Sequence, residues 1–145
     1  MVETYGANAR VTFPFRRIEK LRDVPAEKRR AAGMLTSVYH LFPNASVSVL
    51  SKHSNLTIME PLSPSSTQMV IYLVTPEQTS ENPISLEDVK KDAQFVNELG
   101  QDEDREAACL IQQTVTAQAN SHLTFGYFEK AIVNFHQHLT ERLDS

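Results

Sequence analysis

Apolar positions change their spacing near Ser85. Before it they alternate with polar residues or come in short runs, and after it they recur at steps of three and four. RVTFPF (Arg10–Phe15) alternates until Pro14. Proline cannot donate to a ladder, so this segment predicts an edge strand or a strand end. LTSVYHLF (Leu35–Phe42), SVSVLS (Ser46–Ser51), NLTIME (Asn55–Glu60) and TQMVIYLV (Thr67–Val74) predict four further strands. The breaks between them are Pro43-Asn44, Lys52-His53-Ser54 and the PLSPSS hairpin loop of Pro61–Ser66. Connections this short favour an antiparallel meander over parallel crossovers. PAEKRRAA (Pro25–Ala32) predicts a short helix with proline in its first turn and Gly33 as its stop.

Three helices are expected after Ser85. Ser85 can cap the first, with Asp88 three residues on as its capping-box partner. Leu86, Val89, Ala93, Val96 and Leu99 form one apolar face that ends at Gly100. The second helix is expected from about Glu103 to Ala117. The third carries Phe128, Ile132, Phe135, Leu139 and Leu143, a stripe that must cover a sheet or a partner. A strand-rich part followed by helices predicts an α+β fold, an antiparallel sheet with the C-terminal helix packed across it.

At 145 residues and 41% hydrophobic content the chain is sized for a single domain, residues 1–145, with one modest core. The formal net charge of -4 argues against a nucleic-acid or membrane-surface partner, because phosphate binding needs clustered Lys and Arg. The basic runs Arg16-Arg17 and Lys28-Arg29-Arg30 sit beside acidic residues and read as solvated faces. No stretch approaches the roughly 18 apolar residues of a membrane span. The single cysteine, Cys109, fits a reducing, cytoplasmic compartment and reads as a packing residue. No GxGxxG, P-loop, GxSxG or HExxH motif occurs.

Asp104 is the strongest candidate for chemistry. With Ala108, Ile111 and Val115 it falls at steps of four, three and four, whereas Asp102 and Glu103 do not share that stripe. A carboxylate on an apolar face is costly unless it meets a cation, donors or a metal. The competing reading is that Asp102, Glu103 and Asp104 favour a helix N-terminus through capping and dipole effects of about 0.3–1 kcal/mol each. His136 and His138 lie roughly 200° apart around a helix and cannot both face one metal. His40 and His53 sit on or beside different strands, and His122 reads as a structural hydrogen-bonding residue. In YHLFPNASVSVL, Asn44 and Ser46 could aim at a ligand while Val49 lines an apolar wall. An ordinary turn followed by a half-buried strand contains the same residues.

NSHLTFGYFEKAIVNFHQHLTERL (Asn120–Leu143), YHLFPNASVSVLSKH (Tyr39–His53) and DEDREAACLIQQ (Asp102–Gln113) together resemble the end of the catalytic domain of Rieske-type non-heme iron oxygenases. The resemblance runs from about Arg10 to Leu143. It implies a partial helix-grip, START-like fold, in which a long C-terminal helix crosses a curved antiparallel sheet with the iron between them. It also implies O2-dependent hydroxylation of an aromatic or related organic substrate, with electrons from a reductase by way of a two-iron two-sulfur cluster. The pattern Glu103-Asp104 followed by Gln112 marks the family's carboxylate ligand to a mononuclear iron, which puts Asp104 at that position. The family's two histidine ligands lie on an upstream helix in an HxxxxH motif that does not occur here, and a Rieske cluster needs two cysteines where this chain has one. Because the chain begins with its own Met1, it is expected to be a truncated or split product, either homo-oligomeric or paired with another oxygenase segment. A non-catalytic helix-grip-like ligand-binding or assembly module is the alternative.

Overall fold

The computed structural model describes residues 1–31, 33–50, 52–76, 85–118 and 122–145. Its centre is one six-stranded sheet made of β1 (Val2–Tyr5), β2 (Asn8–Pro14), β3 (Leu35–Leu41), β4 (Ala45–Val49), β5 (Ser54–Ser63) and β6 (Ser66–Val74). Each strand is antiparallel to the next, so spatial order equals chain order. The expected meander is therefore present with one strand added. VETY is too short, and too polar at Glu3, to announce itself. It pairs with β2 because Gly6, at φ +59°, permits the tight reversal between them. Consequently RVTFPF is not at an edge: β2 lies between β1 and β3, and Pro14 closes it.

The helix expected over Pro25–Ala32 is only a 3-10 turn at Ala26–Lys28, since Arg29 already has extended backbone (φ -67°, ψ 138°). Ala32 lies outside the described residues, as do Ser51 and Asn120 at the ends of two segments read above. PLSPSS is a hairpin, but Pro61–Ser63 belong to β5 and Ser66 opens β6, so only Pro64 and Ser65 form the turn, with a register shift between Pro61 and Ser63.

Among the described residues two helices follow, not three. α1 spans Leu86–Thr116, 31 residues, and passes straight through Gly100. An interior glycine costs a helix only about 1 kcal/mol relative to alanine, and it stops one only when the backbone turns left-handed. The Ser85 cap is as expected: its Oγ accepts from the Asp88 amide at 3.0 Å and donates to the Asp88 carboxylate at 2.9 Å. Val89 is buried at 2% exposure, and Asp92, Ala93 and Val96 are half-buried, so α1 docks through this stretch. The side chains of Leu99 and Asp102 lie outside the described residues.

α2 spans Lys130–Leu143 and crosses β1 and β2. Its packed side is rotated from the expected stripe. Phe135 and Leu139 face inward, together with Ala131, Asn134 and His138, but Phe128 is 84% and Leu143 77% exposed. Two contacts set the rotation: Asn134 Nδ2 donates to the Gly6 carbonyl at 3.0 Å, and the Phe135 ring meets His40 at 5.1 Å and Phe42 at 5.7 Å.

The modest core expected from chain size is not closed. Among the described residues the buried apolar ones are Ala9 and Val89, and no large apolar side chain is fully buried.

Burial holds the His40 imidazole below its ordinary pKa of 6.5. Above about pH 6.5 both folded and unfolded chains carry it neutral. As pH falls from there toward the lowered folded value, the unfolded chain takes up the proton first and stability drops; it levels off once the folded chain is protonated too. We expect His40→Gln to flatten the fall of the urea midpoint as pH drops below about 6.5. An unchanged slope would place the acid sensitivity elsewhere.

Candidate functional site

Strand register divides the sheet into two faces, because successive side chains alternate. Ala9, His40, Ser46, Thr57 and Ile71 are connected by register and lie on the face that meets α2 through His40 and Phe135. Arg10, Tyr39, Val47 and Leu56 lie on the other. Three residues separate Ser46 from Val49, so these two candidates point to opposite faces. Ser46 is half-buried beside His40, whereas Val49 is 42% exposed opposite Ser37 and Ser54. Asn44 sits in the turn after the cis Phe42–Pro43 peptide. Its Nδ2 donates to the Met59 carbonyl at 2.9 Å, while the Met59 amide donates to its backbone carbonyl at 2.8 Å. The Asn44 amide thus fastens the β3–β4 turn to β5. The three candidates do not converge on one pocket.

Asp104 lies well inside α1, far from Ser85 and the helix start. A capping or N-terminal dipole role is therefore removed, since such effects fade within the first turn. Asp104 is exposed, and so is the rest of its stripe, with Ile111 57% and Val115 55% exposed. The polar contacts of α1 with the β4–β5 turn, at Asp88 and Asp92, lie before this point, so Asp104 does not face the sheet among the described residues. Cys109, read as a packing residue, is also exposed on this uncovered half.

The histidines are dispersed. His136 stacks at 5.3 Å on Phe125, while His138 turns to Glu141 at 3.1 Å and toward Phe42. His53 is fully buried in the β4–β5 turn, and its Nδ1 lies 2.9 Å from Asp92 Oδ2 on α1. Nearby, Lys52 Nζ is 3.9 Å from Asp88. His53 Nε2 and Asn55 Oδ1 are buried without a hydrogen-bond partner among the described residues. The His53–Asp92 pair was legible in principle: Asp92 stands three residues after Val89, a carboxylate on an apolar stripe, the same signal that singled out Asp104.

Among the described residues no three His, Cys, Asp or Glu side chains gather at metal-binding range. The residues present do not fit a mononuclear iron by themselves. An open cleft of about 360 Å³ lies between β1 and α2, lined by Val2, Thr4, Phe125, Tyr127, Lys130 and Val133, and contains none of the candidate residues. No described helix is long and apolar enough to cross a membrane.

Comparison with curated proteins and with solved structures returns no match. Comparison with protein families returns one whose match extends from residue 3 to residue 145, nearly the whole chain and all six strands and both helices save the first strand residue. On this match the chain belongs to the ring hydroxylating alpha subunit (catalytic domain) family.

Proposed function

We propose that this chain provides the sheet, the two terminal helices and the carboxylate ligand of a ring-hydroxylating oxygenase catalytic domain. The reaction is O2-dependent hydroxylation of an aromatic or related organic substrate. The observation that carries the reading is the position of Asp104. It stands in the interior of α1, away from the helix start, on the exposed stripe of Ala108, Ile111 and Val115, where a further segment could reach it. A carboxylate so placed suits one position of a two-histidine, one-carboxylate iron site. Both imidazoles then come from a further segment that covers the exposed half of α1, since His136 and His138 diverge and His53 is engaged by Asp92.

Ser46, on the helix-bearing face, is the candidate that borders the substrate, while Asn44 holds its turn and Val49 faces away. Electrons come from a reductase through a two-iron two-sulfur cluster carried outside this chain, because one cysteine cannot hold it. The single cysteine supports a reducing, cytoplasmic setting.

The test supplies a polypeptide bearing the cluster and the two histidines in trans, with a reductase and isotopically labelled dioxygen. Labelled hydroxylated product is expected only when both polypeptides are present. Product from this chain alone with added iron and a chemical reductant, or no labelled product from the pair across a panel of aromatic substrates, would overturn the reading.

A further inference from the structure

Polar side chains turned into a fold are usually hydrogen-bonded. Thr12 and Ser37, opposite each other on the face away from α2, share a hydrogen bond at 3.2 Å. On the helix-bearing face, Thr36 Oγ1 donates to the Val49 carbonyl at 2.6 Å. Four other residues of that face depart from the rule. Ser46 stands opposite Thr57 and Ser48 opposite Asn55, so β4 and β5 set a square of uncharged polar side chains next to one another. All four are half-buried, and no side-chain hydrogen bond holds any of them among the described residues. Asn55 Oδ1 is buried outright without a partner.

The square has an apolar border. Toward β6, Ile71 and Leu73 stand opposite Thr57 and Asn55 and are 49% and 43% exposed; toward β3, His40 and Val38 stand opposite Ser46 and Ser48. Hydrogen-bonding groups beside an apolar strip suit a ring that carries a polar substituent. None of these paired positions holds a Lys, Arg, Asp or Glu, and burial lowers the pKa of His40, which is neutral above about pH 6.5. An ion would therefore be desolvated here without a counter-charge, so the substituent that fits is uncharged. Hydroxyls both donate and accept, and a side-chain amide has one group of each kind. The matching group does both as well. A hydrocarbon would leave the four side chains covered and unpaired, which is how sites built on hydrogen bonds reject analogues that lack them.

We propose that the square of Ser46, Ser48, Asn55 and Thr57 selects the substrate: an aromatic compound bearing an uncharged group that both donates and accepts hydrogen bonds, such as a hydroxyl, in preference to the bare hydrocarbon or to a ring acid. The substituent meets the square while the ring lies along Ile71 and Leu73. The Asn55 amide can present either end to it, because its terminal torsion is broad and roughly two-fold. The inference rests on the oxygenase reading, which makes this face the one that borders the substrate, and it narrows that reading to one class of ring.

The test reads binding, not turnover, by equilibrium dialysis against the full chain joined with the polypeptide that bears the cluster and the two histidines. Three ligands on one ring are compared: p-cresol, p-xylene, in which a methyl replaces the hydroxyl, and p-toluate, in which a carboxylate does. The cresol should bind at least about tenfold tighter than either of the others. Ser48→Ala/Asn55→Leu should remove that preference by weakening the cresol and not the xylene, whereas Thr12→Val on the opposite face leaves it intact. If the double variant fails to fold, the comparison of the three ligands on the unaltered chain decides without it. Equal binding of cresol and xylene, tighter binding of toluate, no binding of any of the three, or a preference that survives the double variant overturns the inference. Failure of the oxygenase reading shows differently, as absence of labelled product from the pair with every ring supplied. A cresol preference that the double variant removes upholds the inference in either case.

Discussion

Asp92→Ala should destabilise the chain by about 1–3 kcal/mol and loosen α1 from the sheet, because it leaves the buried His53 imidazole without its hydrogen-bond partner. His53 already has one buried nitrogen unpaired among the described residues, so the loss of Asp92 at 2.9 Å strips the other. With Val89 the only buried apolar residue of α1 among those described, little else anchors the helix. At a denaturant dependence of about 1–3 kcal/mol per molar urea, the unfolding midpoint should drop by on the order of 1 M. The control is the paired replacement His53→Leu/Asp92→Leu. Removing both polar groups together avoids the unsatisfied one, and the double variant should recover most of the loss. Additive losses in the double variant would mean that the pair contributes through packing alone.

Asp104→Ala should abolish stoichiometric iron retention when the histidine-bearing segment is supplied in trans. Loss of a group that merely orients a metal ligand already costs about 10–100-fold in affinity, so loss of a ligand itself should cost more than about 100-fold. Glu103→Ala is the matched control. Glu103 is one residue earlier on the same exposed half of α1, about 100° around the helix, and should leave iron retention nearly intact. Iron measured by elemental analysis after gel filtration separates the outcomes. Equal losses in the two variants would show that the acidic cluster acts through its field and not as a ligand. Because the readout is bound metal, the result stands whether or not the right substrate has been found.

The amino-acid pattern alone was enough for the strands from Leu35 to Val74, though not for β1. Period-two alternation and short polar breaks specify which residues pair and in what direction, and β3 to β6 follow from Leu35 to Val74 nearly as the pattern places them. The Ser85 cap and the packed stretch of Val89, Ala93 and Val96 were equally legible, because capping and helical period act over a few residues. The family that the match over residues 3–145 shows was also visible.

Only the tertiary structure decided the rest. Gly100 reads as a stop, but its effect depends on whether the backbone turns left-handed there, and α1 continues. Phe128, Ile132 and Leu143 share the helical period with Phe135, yet the ring contacts of Phe135 with His40 and Phe42 choose the face. Ser46 and Val49 are three apart in a strand, and the pleat sends them to opposite sides. His53 and Asp92, 39 residues apart in the chain, meet because a turn and a helix are brought together. Local signals report what each segment can do on its own. Which of two apolar faces is covered, and by what, is set by surfaces distant in the chain, and on this protein much of that covering surface is still open.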